Sequence, residues 1–137
     1  MTVYLDTSTV LRVLLRQRGA LRRWADWDTA FTSEILRVEA RRVLDRLRLE
    51  RLLDDAGLAR AHEQLAEIEA SIAVVKLTPL VLDRAAGPMP TVVKTLDAVH
   101  IATALLYRER HDEEIVFATH DEQQRTAATA SGFRCIG

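Results

Sequence analysis

The chain has 137 residues, 48% of them hydrophobic, and a formal net charge of −1, which suits one domain spanning residues 1–137 with a single sizeable core. The near-neutral balance excludes a globally basic nucleic-acid binder, although 17 of the 19 basic residues are arginines, whose planar guanidinium groups match phosphate geometry in a local patch. No run of 18 apolar residues marks a membrane span, and no basic segment followed by an apolar stretch marks a signal peptide.

The chain opens with Val3-Tyr4-Leu5-Asp6-Thr7-Ser8. Val3 to Leu5 are β-formers and read as a strand; from Thr9 through Arg16 the pattern becomes helical. Asp6 therefore lies where a buried strand ends and a helix begins, the edge at which open α/β sheets bind ligands. Its carboxylate is read two ways, as a helix cap or as a holder of a cation. A basic connection, residues 16–23, leads to Trp24-Ala25-Asp26-Trp27. It reads as a solvated loop or as a rim that meets RNA or a partner protein, with Val10, Leu14, Leu15 and Trp24 as the apolar part of a partner surface.

Ala30-Phe31-Thr32 reads as a second strand and Ser33 as the N-cap of a helix over residues 34–53. With Ile35 at zero on a helical wheel of about 100° per residue, Glu39 falls at ~40°, between Ile35 and Val43 at ~80°. A glutamate inside an apolar arc needs a partner, because an unpaired buried carboxylate is costly. Arg42 or Arg46 would serve, or a cation shared with other acids. Asp54-Asp55-Ala56-Gly57 is a turn and cap before a helix reaching residue 70, which makes a helical hairpin. A third strand over residues 72–77 and a short helix over 80–86 follow.

Thr95 reads as the N-cap of an almost wholly apolar helix, which is therefore buried and carries Asp97 in its first turn. The helix dipole favours an acid there. His100, one turn later, reads as a hydrogen-bonded core histidine. Ile115-Val116-Phe117-Ala118-Thr119-His120-Asp121 repeats the opening pattern of strand, polar corner and helix, with Asp121 as an N-cap of a helix over 122–130 and His120 exposed. A fifth strand closes the chain and carries the single cysteine, Cys135. It reads as a small buried apolar residue in a reducing, cytoplasmic setting.

Strands alternating with helices imply an α/β fold with a parallel sheet covered on both faces. Four acids, Asp6, Glu39, Asp97 and Asp121, gather at strand ends, at a buried helix start and on an inward helix face. If they converge, oxygen-only donors suit Mg²⁺ or Mn²⁺, which could activate water against a phosphodiester. Spacing alone leaves their convergence open. No Cys/His cluster suggests zinc, and no glycine-rich phosphate loop or Ser/His/Asp triad stands out.

The opening stretch, Thr32 to Arg42, Thr95 to Ala104 and Thr119-His120-Asp121 together resemble the PIN-domain family, and more narrowly the VapC-type ribonuclease toxins of bacterial toxin–antitoxin pairs. The resemblance implies a three-layer α/β/α sandwich with a parallel five-stranded sheet of order 3-2-1-4-5, and a Mg²⁺- or Mn²⁺-dependent endoribonuclease. Carried over residue by residue, Asp6, Glu39, Asp97 and Asp121 are the catalytic, metal-binding acids, with Ser8 and Thr119 in support. Arg12, Arg16 and Lys94 are the candidate RNA contacts. A cognate antitoxin and a homodimer are the implied partners. Two alternatives stand beside this reading: a catalytically silent PIN-like module that binds RNA or protein, and a phosphoryl-accepting receiver domain. The latter calls for an acidic pair after the first strand and a lysine after the last, where this chain has Thr7 and Arg134.

Overall fold

The fold is that of a computed structural model, which describes residues 1–20 and 26–137. Trp24 and the basic residues Arg22 and Arg23 lie outside the described residues. In chain order the elements are β1 (Thr2–Leu5), α1 (Thr7–Leu14), β2 (Thr29–Ser33), α2 (Ile35–Leu49), α3 (Asp55–Ser71), β3 (Ala73–Val75), α4 (Pro79–Ala86), α5 (Thr95–His111), β4 (Ile115–Ala118), α6 (Glu122–Ala130) and β5 (Arg134–Ile136). All pairings are parallel, and the strand order is β3-β2-β1-β4-β5, as the resemblance implies. Among the described residues, no helix is long and apolar enough to cross a membrane.

Period-two alternation divides the core between the two faces of the sheet. Val3 and Leu5 of β1, with Val116 and Ala118 of β4, pack against Val10 and Leu14 of α1, Leu36, Ala40 and Leu44 of α2, and Ala61, Leu65 and Ile68 of α3. Tyr4, Phe31 and Phe117 point the other way, onto Ile101, Ala104 and Leu105 of α5 and Ala127 and Ala128 of α6. Helix α4 is laid on α5 through Val81, Val99 and Ala102. This is the three-layer α/β/α arrangement. It puts the ends of the two central strands, β1 and β4, side by side in register, Leu5 opposite Ala118.

Several boundaries differ from the sequence reading. Helix α1 starts at Thr7 rather than Thr9, because Thr7 and Thr9 are buried and the Thr9 N–H donates to the Asp6 carbonyl. Ser33 is the last residue of β2; Glu34 holds the N-cap position of α2, and the Ser33 hydroxyl accepts from the Ile35 N–H at 3.2 Å. That helix ends at Leu49, four residues before the expected end, where Arg51 turns left-handed (φ 58°) and the Leu52 N–H reaches back to the Leu47 carbonyl. Thr95 is the first helical residue of α5 and Lys94 its cap, since the Ala98 N–H already bonds the Lys94 carbonyl. Cys135 is only partly buried, because β5 is an edge strand with its other side open. Val10 and Leu14 are core residues and offer no partner surface.

Leu44 is fully buried where α2 meets the sheet. Leu44→Ala should lower the unfolding free energy by about 2–5 kcal/mol in equilibrium denaturation. A loss below about 1 kcal/mol would mean that α2 is not seated as described.

Candidate active site

Asp6 follows β1 and stands at the N-cap position of α1, but its carboxylate makes no capping bond. Its Oδ2 instead accepts from two hydroxyls, Ser8 Oγ at 2.6 Å and Thr119 Oγ1 at 2.8 Å. Those hydroxyls lie 3.2 Å apart and also accept backbone N–H groups, His120 onto Ser8 at 3.0 Å and Asp121 onto Thr119 at 3.1 Å. The hydroxyls of Ser8 and Thr119 thus stitch the β1–α1 corner to the β4–α6 corner. Asp6 Oδ1 is left over, 3.7 Å from His100 Nε2.

Glu39 is carried on α2 beside the buried Leu36 and Ala40, its side chain 19% exposed. Its Oε1 accepts from Thr7 Oγ1 at 2.9 Å and lies 2.6 Å from Nε2 of His100. Neither arginine proposed as its partner reaches it: Arg42 pairs with Asp45 and Arg46 with Glu50. His100 is fully buried, as the sequence reading expects, and its Nδ1 is hydrogen-bonded to the Tyr4 hydroxyl. Burial raises the Glu39 carboxyl, but the His100 hydrogen bond and charge and the Thr7 hydroxyl carry it below its ordinary value. Burial lowers the His100 imidazole, but the Glu39 bond and the charges of Asp6, Glu39 and Asp97 carry it above.

Asp97, half-buried in the first turn of α5, is raised from 3.8 to about 6, first by burial and then by the negative charges of Asp6 and Asp121, with Glu39 adding and His100 opposing. The four acids therefore share one field. Asp121 is exposed and does cap α6, its Oδ1 accepting the Gln124 N–H at 2.9 Å. Gln124, fully buried, donates from Nε2 to the Asp97 carbonyl at 3.2 Å and so ties α6 to the start of α5. Nothing in the sequence pattern singled out that glutamine.

Among the described residues, no three acidic, histidine or cysteine side chains stand close enough, as placed, to enclose one ion. The donor chemistry nevertheless fits a hard divalent cation: oxygen donors, a spare oxygen on both Asp6 and Glu39, and uncompensated negative charge.

A PIN-domain family model matches residues 3–130. The chain belongs to the PIN-domain family. It is similar to Ribonuclease VapC46 of Mycobacterium tuberculosis, 30% identical over 138 residues that cover 98% of this chain and 95% of that protein. Its fold matches a chain of a toxin–antitoxin complex from Klebsiella pneumoniae with a TM-score of 0.62, covering 98% and 96% of the two chains at 14% identity. Family membership sets the receiver-domain alternative aside.

Beside the acids of this PIN domain runs a groove of about 330 Å³ between α1, α2 and the β4–α6 corner. Leu11, Leu15, Val43 and Leu47 give it an apolar floor, and Arg12, Arg46 and His120 give it basic groups next to Ser8 and Asp121. Arg46 was not foreseen, because its position on the helical wheel says nothing of which cleft it borders. His120 is half-buried rather than exposed, with its Nε2 enclosed and, among the described residues, without a partner. Arg16 borders two other clefts, with Arg60 and residues of α2 and α3, and not this groove. Lys94 is exposed at the start of α5, three residues before Asp97.

Asp97 ionises in the unfolded chain near 3.8 and in the fold near 6, so in chelator its ionisation costs stability progressively across that window and fully above it. Asp97→Asn removes the cost. The melting temperature of Asp97→Asn minus that of wild type, in chelator, should rise between about pH 4 and about pH 7. A difference flat with pH would show that Asp97 does not feel the other acids.

Proposed function

We propose that this chain is a metal-dependent endoribonuclease toxin acting in the cytoplasm as a single nuclease domain, neutralised by a cognate antitoxin. The observation that supports the reading is that Asp6, Glu39 and Asp121 all act on the half-buried Asp97, whose carboxyl is raised to about 6 by burial and then by these charges, while among the described residues no arginine is bonded to any of the four. The kinship with Ribonuclease VapC46 supports cleavage of RNA, and the likeness to a chain of a toxin–antitoxin complex agrees with an antitoxin partner.

In this reading Asp6, Glu39, Asp97 and Asp121 hold Mg²⁺ or Mn²⁺ directly or through water. The bound ion supplies an activated water and shields the charge of the phosphodiester under attack. The chain's own residues do the rest. Ser8 and Thr119 fix one oxygen of Asp6 and leave the other for the ion. Arg12 and Arg46 in the groove, and Lys94 outside it at the start of α5, attract the RNA backbone toward the acids, while Arg16 borders other clefts. The apolar floor of Leu11, Leu15, Val43 and Leu47 suits an antitoxin segment that delivers a basic side chain to the acids, competing with the metal. A homodimer completes the assembly.

Cleavage of a labelled RNA pool should require Mg²⁺ or Mn²⁺ and stop in chelator; undiminished cleavage by metal-free protein would sink the proposal. Glu39→Gln keeps an acceptor for Thr7 and His100, so it should melt close to wild type yet lose more than about tenfold in cleavage rate. Activity within about threefold of wild type would instead support a structural reading of Glu39, as a carboxylate held by Thr7 and His100 with no part in cleavage.

Asp121 allows a cleaner separation, because its capping bond is real. Asparagine caps about as well as aspartate, so Asp121→Asn should hold unfolding free energy in chelator within about 0.5 kcal/mol and still lose cleavage. Retained cleavage would reduce Asp121 to its cap.

A further inference from the structure

His100 and Tyr4 lie entirely within the core, yet His100 meets Glu39, the acid carried on α2. Tyr4 is fixed by its ring packing, stacked on Phe117 at 4.9 Å between centroids and edge-on to Phe31 at 5.1 Å. Its hydroxyl is hydrogen-bonded to Nδ1 of His100. The opposite ring nitrogen, Nε2, lies 2.6 Å from Glu39 Oε1 and 3.2 Å from the Thr7 hydroxyl, which itself donates to the same Oε1 at 2.9 Å. An ionised carboxylate can only accept, so Nε2 carries the proton in its hydrogen bond to Glu39. Two donors therefore converge on Oε1, and among the described residues none reaches Oε2.

Asp6 has the same division of labour, Oδ2 taken by two hydroxyls and Oδ1 by none. At Asp6 the hydroxyls come from the two strand ends. At Glu39 the restraint has to cross from β1 through the core to a helix, and the imidazole spans that gap.

We propose that His100, anchored by Tyr4, is the positioning residue for Glu39: it occupies Oε1 together with Thr7, fixes the carboxylate plane, and leaves Oε2 as the oxygen presented to the cation. This rests on the metal-dependent reading above. A residue holding a ligand in this way governs metal affinity about as strongly as outer-shell partners commonly do, on the order of 10–100-fold. The competing account is that His100 only fills and satisfies the core, so that replacing it alters stability and leaves the ion's affinity untouched.

The two ring nitrogens can be mimicked one at a time. In His100→Asn the amide stands near Nδ1 and can meet Tyr4 but falls short of Glu39. In His100→Gln the amide nitrogen reaches the place of Nε2 and can donate to Glu39. Mn²⁺ affinity of the full chain is measured by the EPR signal of free Mn²⁺, with melts in chelator to confirm folding. His100→Asn should weaken Mn²⁺ binding by about tenfold or more, and His100→Gln should stay within about threefold of wild type. In a Glu39→Gln background, His100→Asn should change affinity by less than about twofold, because the residue acts through Glu39.

Equal affinity of His100→Asn and wild type would overturn the proposal. So would weakening by His100→Gln as large as by His100→Asn, or an undiminished effect of His100→Asn in the Glu39→Gln background. Should His100→Asn fail to fold, Tyr4→Phe decides: it keeps the ring packing, removes the anchor, and is expected to lose at least about threefold in affinity, while no loss refutes the anchoring. If wild type itself binds no Mn²⁺, the metal-dependent reading fails and this inference falls with it; if wild type binds and the variants match it, only this inference fails.

Discussion

Like charges held close together are the constraint on which the rest of this molecule depends. Asp6, Asp121 and Glu39 all push the Asp97 carboxyl upward, and a fold gains nothing from such repulsion by itself. The usual remedy, a buried arginine, is not used among the described residues. Among the described residues, the arginines that pair with acids go to Asp45, Glu50, Glu69, Glu109 and Glu122, and to none of the four site acids. The acids are steadied instead by hydroxyls, backbone N–H groups and one imidazole, which orient a carboxylate without cancelling its charge in full. Negative potential is thereby kept available for something that arrives from outside.

The sheet makes this gathering possible. Parallel pairing of β1 with β4 puts Asp6 and Thr119 on adjacent strand ends, each one residue beyond its ladder. The helix leaving each strand must turn back over the sheet, so its first turn faces the same edge. Asp97 arrives by another route: α5 is apolar nearly all round and has to be buried, and its N-terminal turn opens where the strands end. Glu39 comes last, brought in by the apolar stripe of Leu36, Ala40 and Leu44.

Much of this was legible in the residues. Apolar runs ending in Asp gave the strand-to-helix corners, and the misplaced charge on the wheel of α2 gave Glu39. What was not legible has a common cause. Ser8 and Thr119 enter the site only through the resemblance, and Thr7 has no site role in the sequence reading, because a hydroxyl used across the fold and a hydroxyl used locally have the same sequence signature; hence also the late start assigned to α1. Glu39 was offered an arginine or a shared cation as its partner, since helical spacing brings Arg42 and Arg46 within one and two turns of it, whereas its hydrogen-bond partners lie 32 and 61 positions away, Thr7 on α1 and His100 on α5. Gln124 and Arg46 escaped for the same reason: their significance lies in which distant backbone or cleft they meet. Asp6 and Asp121 looked equivalent as caps, and only the geometry separates them, one bound to hydroxyls and the other to its own helix.

The acids are placed by two different rulers. Asp6 and Thr119 are spaced by strand pairing, a repeat that backbone hydrogen bonds hold nearly constant from protein to protein. Glu39 is spaced by how closely α2 settles on the sheet, through the buried Leu36, Ala40 and Leu44. Helix–sheet distance responds to side-chain volume in a way that strand spacing does not. The width of the acidic cluster can thus be retuned from within the core, methylene by methylene, with every acid left in place. Sequence drift at buried apolar positions of α2 would be read out as a change in the distance between Glu39 and the other three acids.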